Sequence, residues 1–402
     1  MKSRALKPQL EPDRQSYWNN GRRIDSNMSL PIQHIIDAME SWAPPGTAQS
    51  YDNVGLQIGD RSRDVDRVLV GLDVTPELID EAVALRCQLI ISHHPLLFKP
   101  LKTLTPDGLE SAMALRLAEE RIALYSIHTN LDAARDGVSF ALARDLGVTN
   151  PAFLSGLDGQ IEKLVVFVPE THIDNVRRAV MSAGAGSVGA YRGCSFTSSG
   201  TGFFTPTEGT SPFTGTEIGQ EESVDEIRLE TEISSWNRTR ILEALREVHP
   251  YEEVAYDLIP VSQKYRGAGI GAVGDLPESC SLETFLNMVC RVLGNPAVRY
   301  SGDLQGQIRR VAVCGGSGSD FIPLAVKAGA DVYVTADISY HRYFGVMAKN
   351  GTFNMALVDA GHYETERMTE RILVDFLSEH FDALTVERAK TRTSPVATFI
   401  GT

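Results

Sequence analysis

A single pattern recurs along the chain and limits what it can fold into. A short run of Val, Ile and Leu stops at a polar turn carrying histidine or aspartate, and a helix-patterned stretch follows. Strands alternating with helices at this spacing predict parallel βαβ units. The loops after parallel strands gather along one edge of the sheet, where α/β folds place their chemistry. The clearest instance is Leu89-Ile90-Ile91-Ser92-His93-His94-Pro95-Leu96-Leu97-Phe98. An isolated His-His pair is explained by hydrogen bonding at a strand end. Here, however, His128 and His341 also fall just past predicted strands, and His362 follows a third. Neutral imidazole is the commonest protein metal ligand, and neighbouring ones can serve two ions about 3.5–4 Å apart.

In order, helical spacing of Ile32, Ile35, Ile36, Met39 and Trp42 predicts a helix stopped by Pro44-Pro45. Strands are predicted over Val68–Leu72, Gln88–Ile91 and Ile122–Ile127, and helices over Pro76–Arg86, Leu109–Glu120 and Asp136–Leu146. The texture changes near Gly159. Strand patterns over Lys163–Pro169, Asp225–Ile233 and Val254–Ile259 alternate with helices over Ile173–Ala183 and Trp236–Val248. Between them, residues 184–221 are rich in Gly, Ser and Thr. This β-α-β-β-α-β-like order is that of a ferredoxin-like module inserted into the first domain. After Gly267–Gly274 the first layout repeats, with strands over Ile308–Cys314, Val332–Thr335 and Met355–Val358 and helices over Leu282–Leu293, Ile322–Ala328 and Thr365–Glu379. The predicted architecture is two similar three-layer α/β halves, 28–158 and 265–402, facing a central metal cleft. An α+β ferredoxin-like domain, 159–264, is inserted, and residues 1–27 are a disordered extension.

Two or three domains fit 402 residues. A net charge of −14 argues against a nucleic acid or an anionic membrane held by a broad basic surface. No apolar run reaches transmembrane length, and residues 1–27 lack the apolar core of a signal peptide. Cys87, Cys194, Cys280, Cys290 and Cys314 are odd in number with no C-x-x-C, which reads as thiols in a reducing cytoplasm.

His362 and Glu366, four apart at a helix start, project from one face. Asp132 follows His128 by four residues, where an Asp often serves only as an N-cap. Taken together, His93, His94, Asp132, His362 and Glu366 form a set suited to two divalent first-row ions with a bridging carboxylate; zinc, iron and manganese all accept it. His128 and His341 are left as acid–base or substrate-orienting groups. Gly315–Ser319 reads as a tight turn first and a phosphate nest second. Lys99, Lys102, Arg135, Arg342 and Arg367 flank the motifs and could serve a triphosphate, solvated surface charge being the plain alternative for each.

The segments SHHPLLF, YSIHTNLDAA, ADISYHRYF and DAGHYETE resemble the four motifs of the GTP cyclohydrolase 1 type 2 family, also known as domain-of-unknown-function family 34. The similarity runs from about Leu30 to the C-terminus. AYRGCSFTSSGTGFFTP, DEIRLETEI and HPYEEVAYDLIP resemble the PII-like or CutA-like module of its longer bacterial members. The resemblance implies a dinuclear metal site in a cleft, on His93, His94, Asp132, His362 and Glu366, and a ring-like homohexamer. It also implies a small-molecule substrate, GTP, whose imidazole ring would open to give formate and dihydroneopterin triphosphate, with His128 or His341 shuttling the proton. A dinuclear phosphoesterase or amidohydrolase of another metabolite is the alternative, as is a non-catalytic metal-binding scaffold with a sensing insert.

Overall fold

The computed structural model describes residues 29–214 and 217–400; the extension assigned to 1–27 lies outside them. Its short Val/Ile/Leu runs form strands whose alternate residues enter different cores, as the two-residue period requires. Val68, Val70, Leu89 and Ile91 face one core, while Leu69 and Ile90 face another.

The first sheet has five strands, in the order Thr385–Arg388, Arg67–Gly71, Leu89–Ser92, Ala123–Ser126, Gly55–Ile58. The first four are parallel and the last is antiparallel. Helices Pro76–Ala84 and Leu109–Glu119 cover its outer face through Leu78, Ile79, Met113 and Leu117. The second sheet has six, in the order Arg299–Ser301, Ala356–Asp359, Val332–Ala336, Gln307–Ser317, Tyr265–Ser281, Thr149–Leu157. Its parallel neighbours are Gln307–Ser317, Val332–Ala336 and Ala356–Asp359. One core joins the sheets: Ile35 and Met39 from Ile32–Trp42, Phe140 from Val138–Asp145, Phe285 from Leu282–Leu293, and Leu373 from Met368–His380.

Each sheet takes a strand from the other end of the chain. Thr149–Leu157 precedes the central module yet pairs with Tyr265–Ser281, and Thr385–Arg388 returns to lie beside Arg67–Gly71. Neither strand is predicted from the sequence, because Thr149–Leu157 contains Pro151 and Gly156 and Thr385–Arg388 has Val386 as its one apolar residue.

Residues 161–260 form a separate four-stranded antiparallel sheet in the order Tyr256–Pro260, Ile161–Pro169, Glu222–Ser234, Ser195–Phe204. Helices Ile173–Ser182 and Arg238–Val248 pack on it around Leu164, Val176, Leu229 and Ile241. Its docking onto the rest of the chain includes Trp236 against Gly46, where a Cβ on the glycine would overlap the indole side chain. No helix among the described residues is long and apolar enough to cross a membrane.

Candidate metal centre

The first sheet delivers three histidines from adjacent strand ends. His93 and His94 follow Leu89–Ser92, and both backbone amides donate to Leu72 O, which fixes the turn. His128 follows Ala123–Ser126 and opens the short helix Thr129–Asp132. The second sheet delivers His362 and Glu366 on the helix His362–Glu366, after Ala356–Asp359 and Gly361. Imidazole ring centres lie 5.0 Å apart for His93–His94, 5.1 Å for His93–His128, 5.2 Å for His94–His128 and 5.4 Å for His94–His362.

All four imidazoles are aimed by a partner on Nδ1. His93 donates to Ile127 O at 2.8 Å, His94 pairs with Asp73 at 2.6 Å, His128 with Asp52 at 2.9 Å and His362 with Asp337 at 2.6 Å. That leaves each Nε2 free for another partner, the arrangement that outer-shell carboxylates and carbonyls impose on metal-ligating histidines. Asp52 is itself held by the amide and hydroxyl of Thr129.

Glu366 sits between the two sheets' contributions. Its Oε1 is 3.8 Å from His93 Nε2, and its Oε2 is 3.0 Å from His94 Nε2 and 3.2 Å from His362 Nε2. Asp132 Oδ1 lies 3.6 Å from His93 Nε2. Three groups result, each with ligand atoms within 4.8 Å of one another: His93, His94 and His128; His94, His362 and Glu366; His93, Asp132 and Glu366. His93 Nε2 and Asp132 Oδ1 are buried without a hydrogen-bond partner. A buried polar atom left unpaired costs about 1–3 kcal/mol, so these donors call for an occupant. A divalent cation fits the mixed imidazole and carboxylate set.

Charge is unevenly shared. Burial pushes His93 down to about 4 against the pull of Glu366. Burial also opposes charge on His94, yet Asp73 and Glu366 outweigh it and push the imidazole up to about 10. Glu366 first, and Asp337 with it, push His362 up to about 9 against its desolvation. Burial would raise Glu366 too, but the imidazoles of His362, His93 and His94 hold it well below the usual carboxylate range. Asp132 is raised well above that range by burial and by the charge of Glu366.

The structure thus brings together His93, His94, Asp132, His362 and Glu366, and places His128, expected as an acid–base or substrate-orienting group, beside His93 and His94. His341 belongs to none of these groups. It is exposed on the turn Tyr340–Val346, and its ring neighbour among the described residues is Tyr340 at 5.4 Å. The glycine run is not an anion nest: the amides of Gly315, Gly316 and Gly318 meet the hydroxyls of Ser139, Thr365 and Thr335.

A cavity of about 550 Å³ opens beside His94 and His362, lined also by Asp73, Asp337, Asp359, Glu364, Tyr363 and Arg299. None of Lys99, Lys102, Arg135, Arg342 or Arg367 lines it. Arg342 pairs with Asp320, and Arg135 lies over Phe140 and Phe153 at 5.6 and 5.3 Å. The cavity's arginine, Arg299, pairs with Asp359. Sequence reasoning missed Asp52, Asp73, Asp337 and Arg299. The signal for Asp73 and Asp337 was their position just past a strand, where a histidine-orienting carboxylate is needed.

A profile of the Duf34/NIF3 family (NGG1p interacting factor 3) matches residues 30–395. A GTP cyclohydrolase 1 type 2 homolog of Halalkalibacterium halodurans is 38% identical over 371 residues, 92% of this chain and 97% of that protein. A homolog of the same name from Bacillus subtilis is 38% identical over 345 residues, 86% of this chain and 91% of that protein. The crystal structure of a Bacillus cereus protein related to NIF3 is 37% identical and superposes with a TM-score of 0.75, covering 93% of this chain and all of that one.

Proposed function

Because the chain belongs to the Duf34/NIF3 family, we propose that it is a metal-dependent hydrolase of a small molecule, in which Glu366 and the histidines around it would hold two divalent ions. The observation that carries this reading is the Glu366 carboxylate, whose two oxygens face different histidine sets. His93 and Asp132 would hold one ion, His94 and His362 the other, and His128 lies within reach of both His93 and His94. When bound, such a pair supplies Lewis-acid polarisation and a lowered pKa for water. The chain's own residues do the rest. Asp52, Asp73 and Asp337 hold the imidazoles of His128, His94 and His362 in one tautomer, with Nδ1 protonated. The cavity beside His94 and His362 receives the substrate and limits its size.

The relatives' name makes opening of the imidazole ring of GTP the first reaction to test. Metal-loaded protein given GTP should release formate and build up pterin fluorescence. Metal-loaded protein that leaves GTP intact would refute that substrate. One observation favours the alternative of a less anionic metabolite: the cavity has four lining carboxylates and an arginine already paired with one of them. A screen of guanosine, its mono- and triphosphates, and neutral amides and esters separates the two readings.

The same proposal takes the fold as two α/β halves with an inserted PII-like module at 159–264, supported by that module's own sheet and core. It takes the protein as a cytoplasmic homohexamer, which a light-scattering mass checks.

A further inference from the structure

Past its last strand, Thr385–Arg388, the chain is pinned residue by residue. The amide of Ala389 donates to Val70 O at 2.8 Å. The amides of Lys390 and Thr391 donate to the Glu81 carboxylate at 2.8 and 2.9 Å, and the Thr391 hydroxyl adds a bond at 2.7 Å. Arg392 pairs with Glu364 at 3.1 Å and lies over the Tyr363 ring at 5.3 Å. Thr393 is only 5% exposed, and its hydroxyl donates to Asp73 Oδ2 at 2.7 Å. Ser394, Pro395, Val396 and Thr398 then line the cavity beside His94 and His362.

Terminal segments fray unless tied down, and fixing each backbone residue costs about 1–2 kcal/mol. Each of residues 389–393 has such a tie, which holds the segment to one path along its length. Its last anchor is the carboxylate that aims His94. Asp73 accepts His94 Nδ1–H on one oxygen and the Thr393 hydroxyl on the other. A carboxylate fixed at one oxygen can still swivel, because the last torsion of Asp is soft. The second bond stops that swivel and so sets the direction of His94 Nε2.

We propose that Thr393 is a positioning residue of the metal centre, acting on His94 through Asp73, and that the strap of residues 389–393 holds Ser394–Thr398 in place as a wall of the substrate cavity. This rests on the reading that the cluster holds metal. Loss of an outer partner of a ligating histidine typically costs about 10- to 100-fold in metal affinity.

The test compares full-length wild type, Thr393→Val and Thr393→Ser, titrated with cobalt(II) and followed by its visible spectrum. With Asp73 still in place, Thr393→Val should weaken binding of one of the two cobalt ions by less than that, about 3- to 10-fold, with a shifted band, and Thr393→Ser should restore both. A valine variant matching wild type in affinity and band overturns the proposal. So do valine and serine variants impaired alike, since packing rather than the hydrogen bond would then be at work. The metal-free proteins give a second readout, the His94 Nδ1–H proton resonance. It should persist in wild type and Thr393→Ser and exchange faster with water in Thr393→Val; equal exchange in all three overturns the proposal. If wild type takes up no cobalt, the metal reading fails while this proton still decides the role of Thr393.

Discussion

Gly316 lies directly beneath Glu366: a Cβ on the glycine would overlap Glu366 Oε1 and come within 3.1 Å of His362 Nε2. Its φ of 58° is in the left-handed region. Glycine is thus required twice over at this position, and it lets the His362–Glu366 helix settle onto the end of Gln307–Ser317.

Gly316→Ala should displace Glu366 and abolish uptake of at least one ion. The left-handed backbone adds a cost of roughly 1–2 kcal/mol for a side chain there. Elemental analysis after loading and dialysis, beside a thermal melt, checks it. A variant with full metal content shows that Glu366 does not need this seat.

Glu366→Ala should lose both ions, whereas Asp132→Ala should lose only the one near His93. The difference follows from Glu366 facing two histidine sets while Asp132 faces His93. Metal per chain is the measurement, with about two ions expected for wild type. A wild type that never exceeds one tightly bound ion defeats the dinuclear reading.

His128→Ala should deplete metal, and His341→Ala should not. His128 shares a ligand group with His93 and His94, while His341 is exposed beside Tyr340. His341→Ala should also melt within about 0.5 kcal/mol of wild type, as surface substitutions do. Metal loss in the His341 variant equal to that in His128→Ala would make His341 a ligand.

Metal loading should release protons at neutral pH. In the metal-free chain His94 and His362 stay protonated up to about 10 and about 9, and a metal ion must displace those protons. Apparent affinity therefore rises with pH from neutrality and levels off above those values, while His93, pushed down to about 4, contributes nothing to the slope. In the metal-free protein the sign reverses for stability. The contribution of His94 and His362 is complete below the unfolded value of 6.5 and disappears as pH rises through about 9 to 10. Chelator competition across pH, with a dye reporting released protons, checks the first part. A binding constant that does not change with pH contradicts it.

Deleting residues 159–264 with a short linker should leave a folded α/β body. Leu157 and Tyr265 are register partners on neighbouring antiparallel strands, so the cut ends are already close. The body loses the packing of Trp236 on Gly46, and with it support for the turn that runs on to Asp52 and His128. The deletion protein should therefore be soluble and hold metal more weakly than wild type. An insoluble product would show the module to be part of the main fold.

The strands that build the site were legible because each is a dense Val/Ile/Leu run ending in a polar turn, as at Leu89–Ser92 and Val332–Ala336. Ser195–Phe204 and Tyr265–Ser281 were not, because glycines and serines break their alternation and the pairing that stabilises them is non-local. The histidine-bearing loops were legible from residue type at strand ends. That His128 comes within ligand distance of His93 and His94 was not legible, because spacing along the sequence does not fix the distance between neighbouring strand ends. Asp52 and Thr393 were beyond reach for the same reason: each meets the site across a long stretch of sequence, with no local pattern to announce it.

The crossing of strands between the sheets has a consequence for synthesis. Asp52 is made more than three hundred residues before Glu366, and the strand Thr385–Arg388 and Thr393 come later still. Domains on the ribosome generally fold from the N-terminus as they emerge, but here the edge beside Arg67–Gly71 stays open until Thr385–Arg388 arrives. A product cut before His362 lacks both residues that the second sheet brings to the cluster, and one cut before Thr385 lacks the strand beside Arg67–Gly71. Metal retention would thus report that everything from Asp52 through Thr393 is present and assembled.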